Sequence, residues 1–314
     1  MSKPQPTPAP PPSPTSPQPR AQGKLRPQGL KRYAQRVWPR VAALCVLVLG
    51  LRWSAIVESL AFYVPSHAKE LPPRGCEEVW IPTPDGAKLH AWFLRASDAP
   101  PGETRPAVLH CHGNAGNLAD HLAFSQFLSH RGLHVLLFDY RGYGQSSPDQ
   151  RLTRHKLRVD SLAAFDWLSS RPDVDPRRIG VYGVSLGGGF ALRVAAERPA
   201  AACVCTLAAF SNWSSVASDH VPVLGKLLIN SGLEPEEAAG QLGSRAYQIV
   251  HGARDSIVRP RHAIALERAA KAAGTPVTRI VIDDAGHNDI IEFAHTRDVI
   301  GEFFARELGA PVTR

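Results

Sequence analysis

From residue 77 onward, short and nearly continuous apolar runs alternate with longer segments in which apolar residues recur every three to four positions. Short apolar runs bounded by turn residues are typical of buried strands, and the longer periodic segments are typical of helices. The predicted strands cover residues 77–81, 88–94, 107–113, 135–139, 179–182, 202–207, 246–251 and 278–283. The predicted helices cover residues 118–130, 153–169, 186–197, 260–273 and 289–308.

The order of these elements predicts an α/β domain over residues 70–314, with a mostly parallel central sheet and helices on both faces. The first two strands flank a Pro-Asp-Gly turn at positions 84–86, which is a hairpin signal, so the sheet should start antiparallel. Residues 211–244 are too long for a simple connection. We expect them either to form a small cap with an apolar face or to be surface packing.

The charge is distributed unevenly along the chain. The net charge of +8 suggests a nucleic acid or an acidic membrane as a partner. However, residues 1–57 carry nine Lys and Arg and no acid, so subtracting nine from +8 leaves −1 for residues 58–314. The domain is therefore nearly neutral, and we expect no nucleic-acid partner.

Residues 1–40 are predicted to be a disordered, proline-rich and basic tail. Nine of the 28 prolines fall in residues 1–19, among Ser, Thr, Gln and Ala. Such a composition cannot bury enough apolar surface to form a core.

Residues 41–64 are predicted to be a membrane anchor. The uninterrupted apolar run at 41–51 is shorter than the roughly 18 to 20 residues that span a bilayer. Over the whole segment, the cost of Arg52 and Glu58 cancels the apolar gain, so the insertion free energy is near zero.

Other features of this segment favour the anchor. Basic residues precede it, Trp53 and Tyr63 suit the membrane interfaces, and Arg52 can extend toward water. The positive-inside rule would place the α/β domain on the non-cytoplasmic side. A cleaved signal peptide ending near residues 66–68 and a helix lying on the membrane surface are the alternatives.

The sequence Gly183-Val184-Ser185-Leu186-Gly187 falls at a predicted strand-to-helix turn. This is the G-x-S-x-G nucleophile elbow in the context that it requires, and it makes Ser185 the candidate nucleophile. A Ser/Gly-rich loop without chemistry is the alternative, so the motif's weight depends on a base, an acid and an oxyanion hole elsewhere.

Serine needs a neighbouring base, and the base needs an acid to orient it. In the order Ser, acid, His, with each residue on a loop after a strand, the chain offers Asp255 and His287. The rival bases are His110, His112, His220 and His251, and the rival acids are Asp283, Asp284 and Asp289, which we expect to be capping or loop residues.

An acyl-transfer site also needs donors for the developing oxyanion. The backbone N–H groups of Leu186, after the nucleophile, and Asn114, after the third strand, are the candidates. The sequence has neither a metal-ligand set nor a dinucleotide fingerprint, so we expect no cofactor and no metal.

Five motifs in this order resemble the membrane-anchored α/β-hydrolase-domain family, which includes protein depalmitoylases and bacterial relatives of unassigned substrate. They are His112-Gly-Asn-Ala-Gly-Asn117, Asp139-Tyr-Arg-Gly-Tyr-Gly144, Gly183-Val-Ser-Leu-Gly-Gly188, His251-Gly-x-x-Asp255-x-x-Val258 and Gly286-His-Asn-Asp289. The resemblance covers residues 77–308 and implies an α/β-hydrolase fold with a Ser185–Asp255–His287 triad.

The chain departs from this family in two places. Arg259 stands between Val258 and Pro260, where relatives often have the proline directly after the valine. The family's cysteine-rich palmitoylated N-terminus is absent, so a depalmitoylase role does not carry over.

The sequence therefore predicts a serine hydrolase of carboxylic esters or thioesters, with a small-molecule or lipid-like acyl substrate. An amidase or peptidase with the same triad is the alternative enzyme. A membrane-tethered binding module without activity is the alternative of another class, and the complete triad argues against it.

Overall fold

The computed structural model describes residues 27–222, 225–226 and 229–310. The chain divides into two compact units, Met1–Gly50 and Leu51–Arg314. Residues 1–26 of the predicted tail lie outside the described residues. Residues 27–40, which were predicted to be part of that tail, lie in a helix.

The first helix, α1, covers Pro27–Phe62. Proline suits the first position of a helix, and the Leu, Lys, Arg, Ala and Gln residues that follow are good helix formers. Over the described ranges 27–222, 225–226 and 229–310, no helix has the length and apolar character that a membrane crossing requires. The anchor over residues 41–64 stays a prediction.

The second unit contains an eight-stranded sheet with the strand order β1-β2-β4-β3-β5-β6-β7-β8. The strands are β1 Cys76–Pro82, β2 Lys88–Leu94, β3 Arg105–Cys111, β4 His134–Phe138, β5 Val174–Val184, β6 Ala201–Leu207, β7 Ala246–Gly252 and β8 Val277–Ile282. Strand β2 is antiparallel to β1 and β4, and the pairs from β4 through β3 to β8 are parallel. The predicted fold class and the antiparallel start are confirmed.

Helices cover both faces of this sheet. They are α2 Arg154–Ser169, α3 Leu186–Glu197, α4 Trp213–His220, α5 Pro235–Ala239, α6 Arg261–Ala272 and α7 Ala294–Leu308. Residues of α2, α3 and α6 share one buried apolar cluster, and residues of α7 share the other. Because successive strand residues point to opposite faces, strands this apolar can stabilise both clusters.

The predicted helix at residues 118–130 is instead a pair of short 3-10 helices, Leu122–Phe124 and Gln126–Arg131. Local side-chain hydrogen bonds compete with an α-helix here. Asn117 Oδ1 accepts the N–H groups of Ala119 and Asp120, and Ser125 Oγ lies 2.8 Å from His110 Nδ1. The last predicted helix likewise starts late, at Ala294, after the 3-10 turn Ile290–Glu292.

The predicted cap region, residues 211–244, contributes α4 and α5. Helix α4 begins after Asn212, whose side chain accepts the N–H of Ser215 at 3.1 Å. Helix α5 packs against α3, where Pro235 approaches Gly189. Positions 223–224 and 227–228 of this region lie outside the described residues.

Candidate active site

Ser185 follows β5 directly and precedes α3, with φ 51° and ψ −114°. A positive φ is strained for any residue with a Cβ, and such strain collects at functional sites. The Ser185 N–H donates to the carbonyl of Leu207 on neighbouring β6 at 2.8 Å, which holds the turn in place. The elbow predicted from the motif is therefore present as a strained strand-to-helix turn.

The glycines on either side of Ser185 are required by close packing. A Cβ at Gly187 would overlap the carbonyl oxygen of Cys111 at the end of β3, and a Cβ at Gly183 would overlap the carbonyl oxygen of Gly187. Only glycine lets α3 approach the sheet this closely.

Ser185, His287 and Asp255 form a continuous chain of hydrogen bonds. His287 Nε2 lies 3.0 Å from Ser185 Oγ, and His287 Nδ1 lies 2.7 Å from Asp255 Oδ2. A carboxylate can only accept, so Nδ1 carries a proton and Nε2 is left to accept the proton of Ser185. This is the geometry that activates a serine nucleophile.

Asp255 is buried in the loop after β7. Its Oδ1 accepts the backbone N–H groups of Ile257 at 2.9 Å and Val258 at 2.7 Å. These bonds fix the carboxylate while its Oδ2 faces His287. The loop after β8 brings His287 to meet it from the neighbouring strand.

The rival histidines are committed to other contacts. Burial lowers the pKa of His110, His112 and His251, so these rings are neutral near pH 7. His251 Nε2–H donates to the carbonyl of Val258 at 2.7 Å and supports the acid loop from behind. His220 Nε2 lies 2.9 Å from the carbonyl of Ile257, at the cavity wall.

Two of the rival acids, Asp284 and Asp289, make loop and surface contacts, as expected. Asp289 Oδ1 accepts the N–H of Gly286 at 2.7 Å, and Asp284 lies 2.6 Å from Arg254 on the surface. Neither of these carboxylates contacts the His287 ring, whose partner is Asp255.

A second Ser–His–Asp chain lies beside the site and is structural. His262 joins Ser211 Oγ to Asp219 Oδ2, both at 3.0 Å, and burial lowers the pKa of His262. Arg259 and Arg261 also approach Asp219, at 3.6 and 2.5 Å. Arg259, the departure from the family pattern, therefore helps to tie α4 to the segment after the acid loop.

The two predicted oxyanion donors lie on the same cavity as Ser185. Leu186 is the first residue of α3, and the first N–H groups of a helix lack acceptors within the helix. The helix dipole adds a field that favours negative charge there. Asn114 is held by its side chain, whose Oδ1 accepts Val64 N–H and Tyr143 Oη–H, both at 3.0 Å.

The cavity next to Ser185 has a volume of about 600 Å³ and walls that are largely apolar. Three phenylalanine rings, Phe62, Phe124 and Phe210, are among the residues that line it. The polar groups His121, His220 and Asn288 lie among them. Such a site can hold an apolar group beside a polar bond that reacts. Within the described part of the chain, no group of three or more His, Cys, Asp or Glu could hold a metal ion.

Phe62 and His121 are among the cavity residues that the sequence did not indicate. Phe62 belongs to the segment predicted as an anchor, and no local pattern links it to the site. His121 stacks on His112 with ring centroids 5.1 Å apart, and its Nε2–H donates to the carbonyl of Ala115 at 2.8 Å. The sequence signal that could have placed His121 near the site is its position shortly after the loop that follows β3, which was predicted to carry an oxyanion donor.

Comparisons with known proteins agree with this architecture. A family model described as "alpha/beta hydrolase fold" matches residues 106–230. An uncharacterized protein of Mycobacterium tuberculosis, Rv2307c, is 37% identical over 264 residues, which are 81% of this chain and 89% of that protein.

Two solved structures share the fold at lower identity. The esterase Pf2001 of Pyrococcus furiosus has a TM-score of 0.67 and 22% identity, covering 78% of this chain and 98% of that one. The acylaminoacyl peptidase of Pyrococcus horikoshii has a TM-score of 0.62 and 16% identity, covering 76% of this chain and 42% of that one. The chain belongs to the α/β-hydrolase family.

Proposed function

We propose that this protein is a serine hydrolase that cleaves carboxylic esters or thioesters through an acyl intermediate on Ser185. The observation that carries the proposal is the hydrogen-bonded chain from Ser185 Oγ through His287 to the buried Asp255. A strained elbow, a neutral acceptor nitrogen and a fixed carboxylate together supply what a serine nucleophile needs.

The reaction proceeds in two halves. His287 Nε2 takes the proton of Ser185 as Oγ attacks the substrate carbonyl, and Asp255 stabilises the resulting imidazolium. The N–H groups of Leu186 and Asn114 stabilise the oxyanion. His287 then protonates the leaving alcohol or thiol, and water, activated by the same nitrogen, releases the acid and restores Ser185.

The cavity favours a substrate with an apolar group. Its aromatic walls would bury such a group, and burial contributes about 25 cal/mol for each Å² of apolar surface. A lipid-like or acylated substrate fits this chemistry. Attachment to a membrane through the predicted anchor, residues 41–64, with the domain on the non-cytoplasmic side, remains part of the proposal. Of these residues, 58–64 contact the hydrolase domain, so the membrane contact would lie in residues 41–57.

Amide or peptide hydrolysis is the alternative activity, because the structurally similar acylaminoacyl peptidase has the same fold. A binding module without activity accounts less well for the site. Binding alone does not require a strained serine in hydrogen-bond contact with a base and an acid.

The test compares the full-length protein with Ser185→Ala on an ester, a thioester and an anilide that carry the same acyl group. We expect turnover of the ester and thioester, and a loss of about 10³-fold or more in Ser185→Ala. Ser170→Ala, an exposed serine on α2's end, is the matched control and should keep its activity. Equal turnover by the wild type and Ser185→Ala would contradict the proposal, and faster cleavage of the anilide would favour the amidase.

A further inference from the structure

The end of α1 and the residues after it, which we call the N-terminal strap (residues 58–68), lie against the candidate active site. Phe62 contributes a wall of the cavity that contains Ser185 and His287. Its ring meets Trp213 of α4 edge-on, with ring centroids 5.4 Å apart. The strap is therefore in direct contact with the space that a substrate would occupy.

A buried ion pair fixes the start of the strap. Glu58 accepts from Arg154 in a two-pronged contact, with Nη2 to Oε2 at 2.6 Å and Nε to Oε1 at 3.0 Å. Tyr63 Oη–H donates to the same carboxylate at 3.2 Å. Both charged side chains are about nine-tenths buried, so water competes little with the pair.

Arg154 also connects the strap to α4 and to the segment that follows it. Its Nη1 donates to the carbonyls of Asn230 at 3.0 Å and Gly232 at 2.8 Å, and its guanidinium lies 4.6 Å from the centre of the Trp213 ring. A displaced strap would leave the buried Arg154 guanidinium without its carboxylate partner, Glu58.

The rest of the strap pairs with the loop that carries the predicted oxyanion donor. Val64 N–H donates to Asn114 Oδ1 at 3.0 Å, and the carbonyl oxygen of Val64 accepts the N–H of Gly116 at 3.2 Å. Ser66 N–H donates to Gly116 at 2.8 Å, which continues the pairing as a short parallel bridge. Small displacements of an oxyanion donor reduce catalysis strongly, so this pairing bears on the rate.

We infer that the strap is part of the substrate site, with Phe62 as a specificity-determining residue and Glu58 as a positioning residue for the Asn114 loop. The inference rests on the proposed hydrolase function. Phe62 limits the size of the apolar group that fits beside Ser185. Glu58 acts through the strap backbone and does not touch substrate.

The first arm of the test changes the size of the wall in both directions. The full-length wild type, Phe62→Ala and Phe62→Trp are compared on p-nitrophenyl esters from acetate to dodecanoate, and on acetate esters of alcohols of increasing length. In one of the two series, Phe62→Ala should raise the kcat/KM ratio of long to short substrates by about 5-fold or more, and Phe62→Trp should lower it. Leu71→Ala, outside the strap and with a side chain 87% exposed, should match the wild type.

The second arm tests positioning. Glu58→Gln should lower kcat for the acetate ester by about 10-fold while KM changes by less than about 2-fold, because the donor position and not the binding wall is affected. Glu58→Asp should recover part of the rate. Unchanged ratios in both Phe62 variants, or a wild-type kcat in Glu58→Gln, would overturn the inference in an active protein. Absence of Ser185-dependent turnover in the wild type would instead refute the proposed function.

Discussion

Replacing Asp255 by asparagine should inactivate the enzyme while keeping the shape of the site. Asp255 Oδ1 accepts two backbone N–H groups, at 2.9 and 2.7 Å, so the asparagine oxygen must keep that position. Its NH₂ group then faces His287 Nδ1, where the aspartate offered an acceptor at 2.7 Å. A donor in this place forces Nδ1 to accept and moves the imidazole proton to Nε2, which can no longer take the proton of Ser185.

The expected size of the effect follows from this change of tautomer. In serine proteases with the same arrangement, the corresponding substitution lowers kcat about 10⁴-fold. At about 1.36 kcal/mol for each tenfold change, the loss is about 5.5 kcal/mol of transition-state stabilisation. Binding should change little, because Asp255 is buried behind His287 and does not line the cavity.

The assay is the initial rate of p-nitrophenyl acetate hydrolysis by the full-length protein, with the melting temperature as a check of folding. Asp284→Asn is the matched control: this carboxylate lies in the loop of His287, is largely exposed and pairs with Arg254. It should keep its rate within about 2-fold. If a folded Asp255→Asn variant kept more than about a tenth of the wild-type kcat, the role assigned to Asp255 would be wrong.

Three further predictions concern packing, buried charge and pH. Gly187→Ala should lower kcat/KM by about 10²-fold or more and reduce the melting temperature, since its Cβ would push α3 away from the backbone of Cys111; wild-type rates would contradict the packing argument. Arg141→Met should lower the free energy of unfolding, measured with urea, by about 3–5 kcal/mol, because Asp160, whose pKa burial raises to about 6, loses its bidentate partner. The control Arg177→Met removes an exposed arginine and should lower it by less than about 0.5 kcal/mol. Lowering the pH from 8 to 5 should reduce the melting temperature, because buried histidines with lowered pKa values stay neutral in the folded protein but bind protons when it unfolds below about pH 6.5. Each contributes up to about 1.4 kcal/mol for each pH unit. Three groups with raised pKa values oppose this trend: His90, through Asp139 and Glu78, and Asp139 and Asp160, through burial. A flat profile would refute the assignment. The buried histidines whose pKa values are lowered are His110, His112, His134, His251 and His262.

The sheet and the triad geometry could be predicted because their signals are local in sequence. Each strand is a short apolar run, and each of the three residues follows a strand that the pattern identifies. The carboxyl ends of parallel strands share one edge of a sheet, so the loops after β5, β7 and β8 bring Ser185, Asp255 and His287 together. Motif and topology were therefore sufficient for these three positions.

The strap could not be predicted because its partners are distant in sequence. Glu58 and Arg154 are 96 positions apart, and Val64 and Asn114 are 50 apart. In the sequence, Glu58 counted only as a charge that opposes membrane insertion. In the structure, its charge is satisfied by Arg154, and Tyr63 is buried beside it rather than placed at an interface.

The 3-10 segment after β3 shows the same limit on a shorter scale. Apolar periodicity predicts a helix at residues 118–130, but periodicity does not report side-chain competition for backbone groups. Asn117 and Ser125 form such bonds, with backbone N–H groups and with His110. The result is a looser turn that carries His121 and Phe124 to the cavity.

Covalent labelling tests the central claim most directly. The full-length protein is incubated with a fluorophosphonate probe, digested, and the modified residue is located by mass spectrometry, with Ser185→Ala treated in parallel. The account predicts one adduct on the peptide that contains Ser185, formed at pH 7 to 8 and absent from the variant. An unmodified Ser185 in a folded wild-type protein, or equal labelling of Ser185→Ala, would contradict it.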